Sequence, residues 1–329
     1  MIRAVERCAS LTTGSPGYSH RVTERLAYLG PEGTFTEQAA ITLSGDASGR
    51  AYLIPLESVT AAVAALRMKD VDAAVVPLEN SVEGGVTLTQ DELIHGDEVR
   101  IFAETYVAVR FDLLVRPGTP AADIHTIGSH PHGHAQVREY LGLRFPAADA
   151  VVTSSTAAAA AAVRAGELDA AVAAPVAADH YGLQAVVRNI GLDSDALTRF
   201  VKLRRPAPPA PPTGNDRTSL VISVPNRPGT LLEVLEEIAR RGINLTRLES
   251  RPTRETMGDY LFGIDADGHL AEPAMADTVA ALHRRGALHR FLGSYPRGQG
   301  AAVARPDYAA AEAYIAAEEY LGRLREENR

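Results

Sequence analysis

The stretch Ala73-Ala-Val-Val-Pro-Leu-Glu-Asn-Ser-Val-Glu-Gly-Gly-Val86 decides how the rest of the chain is read. Ala73 to Val76 is an unbroken apolar run, the pattern of a strand buried on both faces of a parallel sheet. The strand ends around Pro77 and delivers Glu79, Asn80 and Ser81 beyond its carboxyl end, where open α/β sheets place their ligands. Gly84 and Gly85 then allow a close backbone approach before the next helix.

The pattern repeats on both sides of this stretch. Leu26 to Leu29 reads as a strand running into the turn Gly30-Pro-Glu-Gly33, followed by a helix over about 36–43. Ser58 caps a helix reaching Lys69, with Val59, Ala62, Val63 and Leu66 on its apolar face. Further along come a strand at 124–128, a helix around 136–141, an alanine-rich helix over 157–165 and a strand at 170–174. The spacing predicts an α/β domain of two lobes.

Five prolines fall in the seven residues Pro206 to Pro212, and each removes an amide donor and fixes φ. A semi-rigid linker over 206–216 therefore separates a domain at 26–205 from a smaller one at 217–297. The smaller domain reads strand, helix, strand, strand, helix, strand: 219–224, 230–241, 243–251, 260–265, 274–285 and 288–294. Pro228-Gly229 opens its first helix and Gly242 closes it, so a ferredoxin-like βαββαβ unit is expected. Residues 298–329 form a helical tail rich in Ala and Glu. Residues 1–25 carry scattered charges and no apolar run, and are read as a mobile extension rather than a signal peptide.

Of the 329 residues, 46% are apolar and 22% charged, a soluble globular composition. A net charge of −8 with no Lys/Arg run argues against nucleic-acid or anionic-membrane binding. No segment approaches the roughly 18 apolar residues of a membrane span. Cys8 is the single cysteine, which rules out an intrachain disulfide or a cysteine-based zinc site and fits a cytoplasmic protein.

Three other stretches could carry chemistry. Tyr28-Leu-Gly-Pro-Glu-Gly-Thr-Phe-Thr36 joins a strand to a helix N-terminus, with backbone amides and the Thr34 hydroxyl suited to an anion or simply to the joint itself. In Thr153-Ser-Ser-Thr156, Ser155 or Thr156 caps the next helix, whose free amides equally suit a carboxylate. Thr198-Arg-Phe200 alternates as any half-buried strand does. Ser129-His-Pro-His-Gly-His134 invites a metal reading, but Pro131 and Gly133 break any regular face and no cysteine or carboxylate lies close in sequence, so no metal site is expected.

Taken in order, these motifs resemble the prephenate dehydratase family. The resemblance rests on Leu-Gly-Pro-Glu-Gly-Thr-Phe (29–35), Pro-Leu-Glu-Asn-Ser (77–81), Ser-His-Pro (129–131), Ser-Thr-Ala (155–157), Tyr-Gly-Leu (181–183) and Thr-Arg-Phe (198–200). The smaller domain is similar to the family's ACT regulatory domain, through Arg-Pro-Gly-Thr-Leu-Leu (227–232) and Glu-Ser-Arg-Pro (249–252). The resemblance implies a catalytic domain of two lobes of the periplasmic-binding-protein type, with the active site in the cleft between them.

It also implies the decarboxylating dehydration of prephenate to phenylpyruvate, with L-phenylalanine as feedback effector and a homo-oligomeric dimer or tetramer. Aromatisation drives that reaction, so no cofactor or metal is expected. By resemblance, Thr198 is the donor at the departing hydroxyl, Arg199 the counter-charge for a carboxylate, and Phe200 an apolar wall. Thr34, Asn80, Ser81, Gly84, Gly85 and Ser155 are further substrate contacts. Gly229, Thr230, Leu231, Glu249, Ser250, Arg251 and Pro252 form the effector site. Ala196 stands where the family often has Asn, His132 where it often has Gln, and Thr230 where it usually has Ala. Arogenate dehydratase is the alternative substrate reading, and a non-catalytic amino-acid sensor the alternative class.

Overall fold

A computed structural model describes residues 24–45, 52–82, 84–191, 196–254 and 259–327. The N-terminal extension read from the sequence lies almost wholly outside the described residues.

The chain opens with β1 (Arg25–Leu29), α1 (Phe35–Leu43), β2 (Tyr52–Leu56), α2 (Val59–Arg67), β3 (Ala73–Asn80), β4 (Gly84–Gly85), α3 (Thr87–His95) and β5 (Arg100–Ala108). A second group follows: β6 (Asp112–Val115), β7 (Thr126–Ser129), α4 (Pro131–Arg144), β8 (Asp149–Val152), α5 (Thr156–Ala165), β9 (Ala170–Ala173), α6 (Val176–Tyr181) and β10 (Gln184–Val187). Then β11 (Leu197–Arg204) returns to the first group, and its sheet has the order β2-β1-β3-β11-β5 with β4 beside β3. The second sheet runs β10-β6-β9-β7-β8. The chain thus crosses between two lobes after β5 and before β11, and the crossings are tied where Val109 N–H donates to the Ala196 carbonyl at 2.8 Å.

Sequence and structure agree closely on why these elements form. Ser58 accepts a hydrogen bond from Ala61 N–H at 3.0 Å, and Ser155 one from Ala158 N–H at 2.9 Å, each relieving an orphan amide at a helix start. The run Ala73–Val76 is fully buried, with Ala74 and Val76 in one core and Ala73 and Val75 in the core on the opposite face. Helix α4 departs from expectation by beginning at Pro131 and continuing through Gly133. Proline sits at a position where no amide is required, and the His130 ring caps the turn by accepting from His132 N–H.

The third sheet is built by β12 (Asp216–Ser223), α7 (Thr230–Ala239), β13 (Leu245–Pro252), β14 (Tyr260–Asp267), α8 (Pro273–Arg284) and β15 (Leu288–Pro296). Its strand order is β13-β14-β12-β15, all antiparallel, with both helices on one face. The other face packs on the first lobe: Val221, Leu261, Leu292 and Tyr295 share a core with Val76, Ile101, Val201 and Leu203. At Gly293, φ is +139° and an added Cβ would run into the Ile101 carbonyl, so β15 lies backbone-to-backbone on β5. Helix α9 (Ala311–Glu327) follows. No helix among the described residues is long and apolar enough to cross a membrane.

Candidate active site

The site forms at the carboxyl ends of β1 and β3, where β11 runs antiparallel beside β3. Cross-strand register sets Thr198 level with Asn80. The Asn80 amide donates to Thr198 Oγ1 at 2.8 Å, while its own oxygen accepts from Val82 N–H at 2.8 Å. The turn therefore orients the amide, and the amide occupies an oxygen lone pair of Thr198, leaving that hydroxyl to act on a third group as a donor. Donation into the oxygen also makes the hydroxyl a better acid. Ser81 braces the same point: Leu197 N–H donates to Ser81 Oγ at 3.0 Å, and Ser81 N–H to the Leu197 carbonyl at 2.9 Å.

Three helix starts from the two lobes come together near one aromatic pair. Phe35, first residue of α1, meets Phe111 of the second lobe edge-on, with ring centroids 5.6 Å apart. The Phe111 ring reaches the start of α4 at Gly133, which in turn lies against Thr156 at the start of α5. The N-termini of α1, α4 and α5 are thus gathered around one aromatic pair, and the partial positive charges of their amides suit a multiply anionic ligand. Thr34 and Ser155 are the caps of two of these helices. The lobes also touch where Tyr181 donates to the Glu32 carbonyl at 2.9 Å and His180 pairs with the Glu32 carboxylate at 2.8 Å.

Glu37 has no role in the sequence reading, yet it is buried at this edge. Gly33 N–H donates to its carboxylate at 2.5 Å while its own amide caps onto Thr34, a relative of the Thr-x-x-Glu capping box in which the carboxylate takes the amide one residue before the cap. That spacing was visible in Thr34-Phe-Thr-Glu37. Burial, and after it Glu37 and Glu32, hold the Tyr28 phenol protonated well above its ordinary pKa.

Arg199 is a correction. It does not stand beside Thr198 as a counter-charge for substrate, because neighbours on a strand point to opposite faces. Its side chain is 2% exposed, with Nε donating to Glu104 at 2.7 Å, one terminal nitrogen to Asp265 at 2.6 Å, and the other to the Tyr295 hydroxyl at 2.9 Å. Burial opposes its charge, but Asp265 foremost, then Tyr295 and Glu104, hold the guanidinium charged. Burial likewise opposes ionisation of Asp265, yet Arg199 and then Arg247 keep its carboxyl well below the usual range.

Phe200 is corrected too: it lies in the core with Leu26, Tyr28, Val75 and Val107, supporting the strand from beneath rather than walling a ligand. At Gly85 the space a Cβ would need is filled by Gln90 and Glu249, so only glycine fits there, whereas Gly84 opens on free space. Among the described residues no group of His, Cys, Asp and Glu is placed to hold a metal ion.

The effector residues divide between two faces of the regulatory sheet. Gly229, Thr230 and Leu231 line a cavity of about 280 Å³ with Val224, Tyr260 and Phe262. Ser250 and Pro252 stand opposite Phe262 and Tyr260 in register, on that face. Glu249 and Arg251 point the other way, toward the catalytic domain: Gln90 donates to Glu249 at 2.5 Å, and Arg251 pairs with Asp91 at 3.1 Å.

Comparison with known proteins agrees with this architecture. A family model described as prephenate dehydratase matches residues 26–208, and one described as ACT domain matches 218–284. A prephenate dehydratase from Amycolatopsis methanolica is 50% identical over 282 residues, covering 85% of this chain and 90% of its own. The structure of an Arthrobacter aurescens prephenate dehydratase in complex with L-Phe superposes with a TM-score of 0.82 at 40% identity, covering 92% of this chain and 99% of that one. A structure described as GqqA, a quorum-quenching acylase, is similar at 31% identity and TM-score 0.73, covering 83% of this chain and 97% of that one. On the strength of the matched models, the relatives and the shared two-lobed fold, this chain belongs to the prephenate dehydratase family and carries that family's C-terminal ACT domain.

Proposed function

We infer that the chain converts prephenate to phenylpyruvate, carbon dioxide and water, with Thr198 as donor to the departing ring hydroxyl. The observation that carries this is the Asn80–Thr198 hydrogen bond, in which the threonine oxygen is the acceptor and its own proton is left for another group. The bond from the ring to its carboxylate breaks, and its electron pair enters the ring. The ring C–O bond then breaks, and the oxygen leaves as water, taking a proton presented by Thr198 and replaced from solvent. A positioned donor contributes about 10²–10⁴-fold to such a step. With Arg199 turned away, the amides at the starts of α1, α4 and α5 supply the positive field for the substrate's carboxylates, with Thr34, Ser81 and Ser155 among the polar contacts.

The acylase likeness does not suit this site as well. Acyl transfer needs a nucleophile paired with a base, whereas the Thr198 oxygen receives a proton donor.

The cavity beside Gly229, Thr230 and Leu231 is the proposed seat of L-phenylalanine, in line with the L-Phe complex of the Arthrobacter protein. Strand β13 ends the regulatory sheet and carries the exposed Leu248, which supports pairing with a second copy in a dimer or tetramer. A cytoplasmic setting completes the reading, and the linker expected at 206–216 gives up its last residue, Asp216, to β12. The test is turnover of prephenate and of arogenate by wild type and Thr198→Ala, with product identification. Phenylpyruvate from wild type alone supports the assignment; phenylalanine from arogenate with no phenylpyruvate moves the substrate; undiminished turnover by Thr198→Ala rejects the donor.

A further inference from the structure

Thr198 comes level with Asn80 only through an irregularity in the β3–β11 pairing. Arg199 pairs with Glu79 but Phe200 pairs with Pro77, so Leu78 is passed over. The Leu78 carbonyl is instead taken by Val86 N–H at 2.9 Å, and Pro77 has no amide to offer β11. Such a bulge re-aims the side chains beside it. Phe200 pins it from the core side. On the other side it is pinned by the Arg199 guanidinium, whose two terminal nitrogens both bond to side chains of the regulatory domain.

Asp265 and Tyr295 take the two terminal nitrogens, and Ser219 joins these two partners, donating to Asp265 at 2.5 Å and sharing a hydrogen bond with the Tyr295 hydroxyl at 2.6 Å. The remaining partners belong to the catalytic domain: Glu79, 3.6 Å from the guanidinium, and Glu104, which is itself held by Arg217 at 2.7 Å and by Gly298 N–H at 3.0 Å. The catalytic strand therefore carries, one residue after Thr198, a charge whose cage is completed by another domain.

We propose that Arg199 is a positioning residue anchored by the regulatory domain, so that the Thr198–Asn80 pair holds its productive geometry only while Asp265 and Tyr295 grip that guanidinium. The proposal rests on Thr198 being the donor. It also gives the effector a route. Arg247 lies 3.9 Å from Asp265 and 2.7 Å from Glu249, and Glu249 accepts from Gln90 beside Gly85. Since β4, formed by Gly84 and Gly85, pairs with Glu79 and Asn80, β13 reaches both halves of the catalytic pair from one face while its other face borders the 280 Å³ cavity.

The test uses the full chain and steady-state kinetics with prephenate for Tyr295→Phe, Asp265→Asn, Arg199→Lys and the double variant Arg199→Lys/Asp265→Asn. Each single variant should lower kcat by about tenfold or more while KM stays within about twofold, the pattern of an interaction made only in the transition state. The double variant should be no worse than the poorer single one, because both cut the same link. Tyr295→Phe removes one hydroxyl and keeps the packing, so it reports even where the buried charge change at Asp265 impairs folding.

Unchanged kcat in Tyr295→Phe and Asp265→Asn would overturn the proposal, as would a large rise in KM confined to Arg199→Lys, which would make Arg199 a substrate ligand. Thr198→Ala, run alongside, separates the two levels. If it abolishes turnover while Tyr295→Phe and Asp265→Asn behave as wild type, only the anchoring fails. If Thr198→Ala turns over normally, the donor and its anchor fall together.

Discussion

Replacing Asn80 by Asp should damage catalysis more than replacing it by Ala, although Asp is the closer match in shape. In the structure the amide donates to Thr198 Oγ1 at 2.8 Å. Asn80→Ala removes that donor, and losing one preorganised donor next to developing charge costs about 10²–10³ in kcat. Asn80→Asp removes the same donor and adds two further penalties. The carboxylate becomes an acceptor, so the Thr198 proton turns toward it and away from the departing oxygen. Its charge also sits one bent hydrogen-bond chain from that oxygen, about 4.5 Å away, where a unit pair at an effective dielectric of about 20 interacts by roughly 3.7 kcal/mol. A leaving oxygen carrying about half a charge feels about half of that, a further factor of roughly 20 in rate. Steady-state turnover of prephenate, followed by phenylpyruvate formation, would measure both variants, with circular dichroism confirming that they are folded. Equal losses, or a milder loss for Asn80→Asp, would refute the assignment of Asn80 as donor to Thr198.

Three other outcomes follow from the same geometry. Glu104→Gln leaves Arg217 and Arg199 facing an amide in a fully buried site, a break worth about 3 kcal/mol or more; thermal unfolding should show Tm lowered by about 6–12 °C. The Asp265 carboxyl is held below the ordinary aspartate value of 3.8, so in that range the folded state binds fewer protons than the unfolded one. Its contribution is therefore complete above about pH 4 and is lost as pH falls below it, at up to about 1.4 kcal/mol per pH unit; urea titrations between pH 7 and 3 should steepen there, and Asp265→Asn should flatten that part of the curve. Thr230 donates to the Pro225 and Arg227 carbonyls at 2.7 and 3.0 Å, holding the rim of the effector cavity. Thr230→Ala should weaken L-phenylalanine binding by about fivefold in calorimetry, corresponding to about 1 kcal/mol of loop order.

What could be read from the sequence was whatever is settled locally. The Ala73–Val76 run, the caps at Ser58 and Ser155, and the alternation of strands and helices in 217–297 all depend on neighbours within a few residues, and they are where they were expected. Strands β5 and β6 went unread. In Arg100–Ala108, polar residues interrupt the apolar ones, and Glu104 is buried because its partners Arg199 and Arg217 arrive 95 and 113 residues later. Arg199 was misplaced for the same reason: a lone arginine beside a reactive threonine reads as a ligand for anions until its buried partners are known. The Asn80–Thr198 bond joins residues 118 positions apart, so the order of motifs named both residues but not their contact. At α4 the error was local, since Pro131 opens the helix instead of interrupting it.

The seam at Gly293 bears on how such a protein could be rebuilt. Because β15 meets the Ile101 carbonyl with no room for a single methyl group, a regulatory module borrowed from elsewhere would be sorted first by shape. A donor carrying alanine at that point would stand off the catalytic lobe, however well its charges matched, and the chimera would behave as two tethered proteins. Anyone wishing to make this catalyst answer to a different amino acid would do better to recarve the cavity within the resident module than to exchange the module itself.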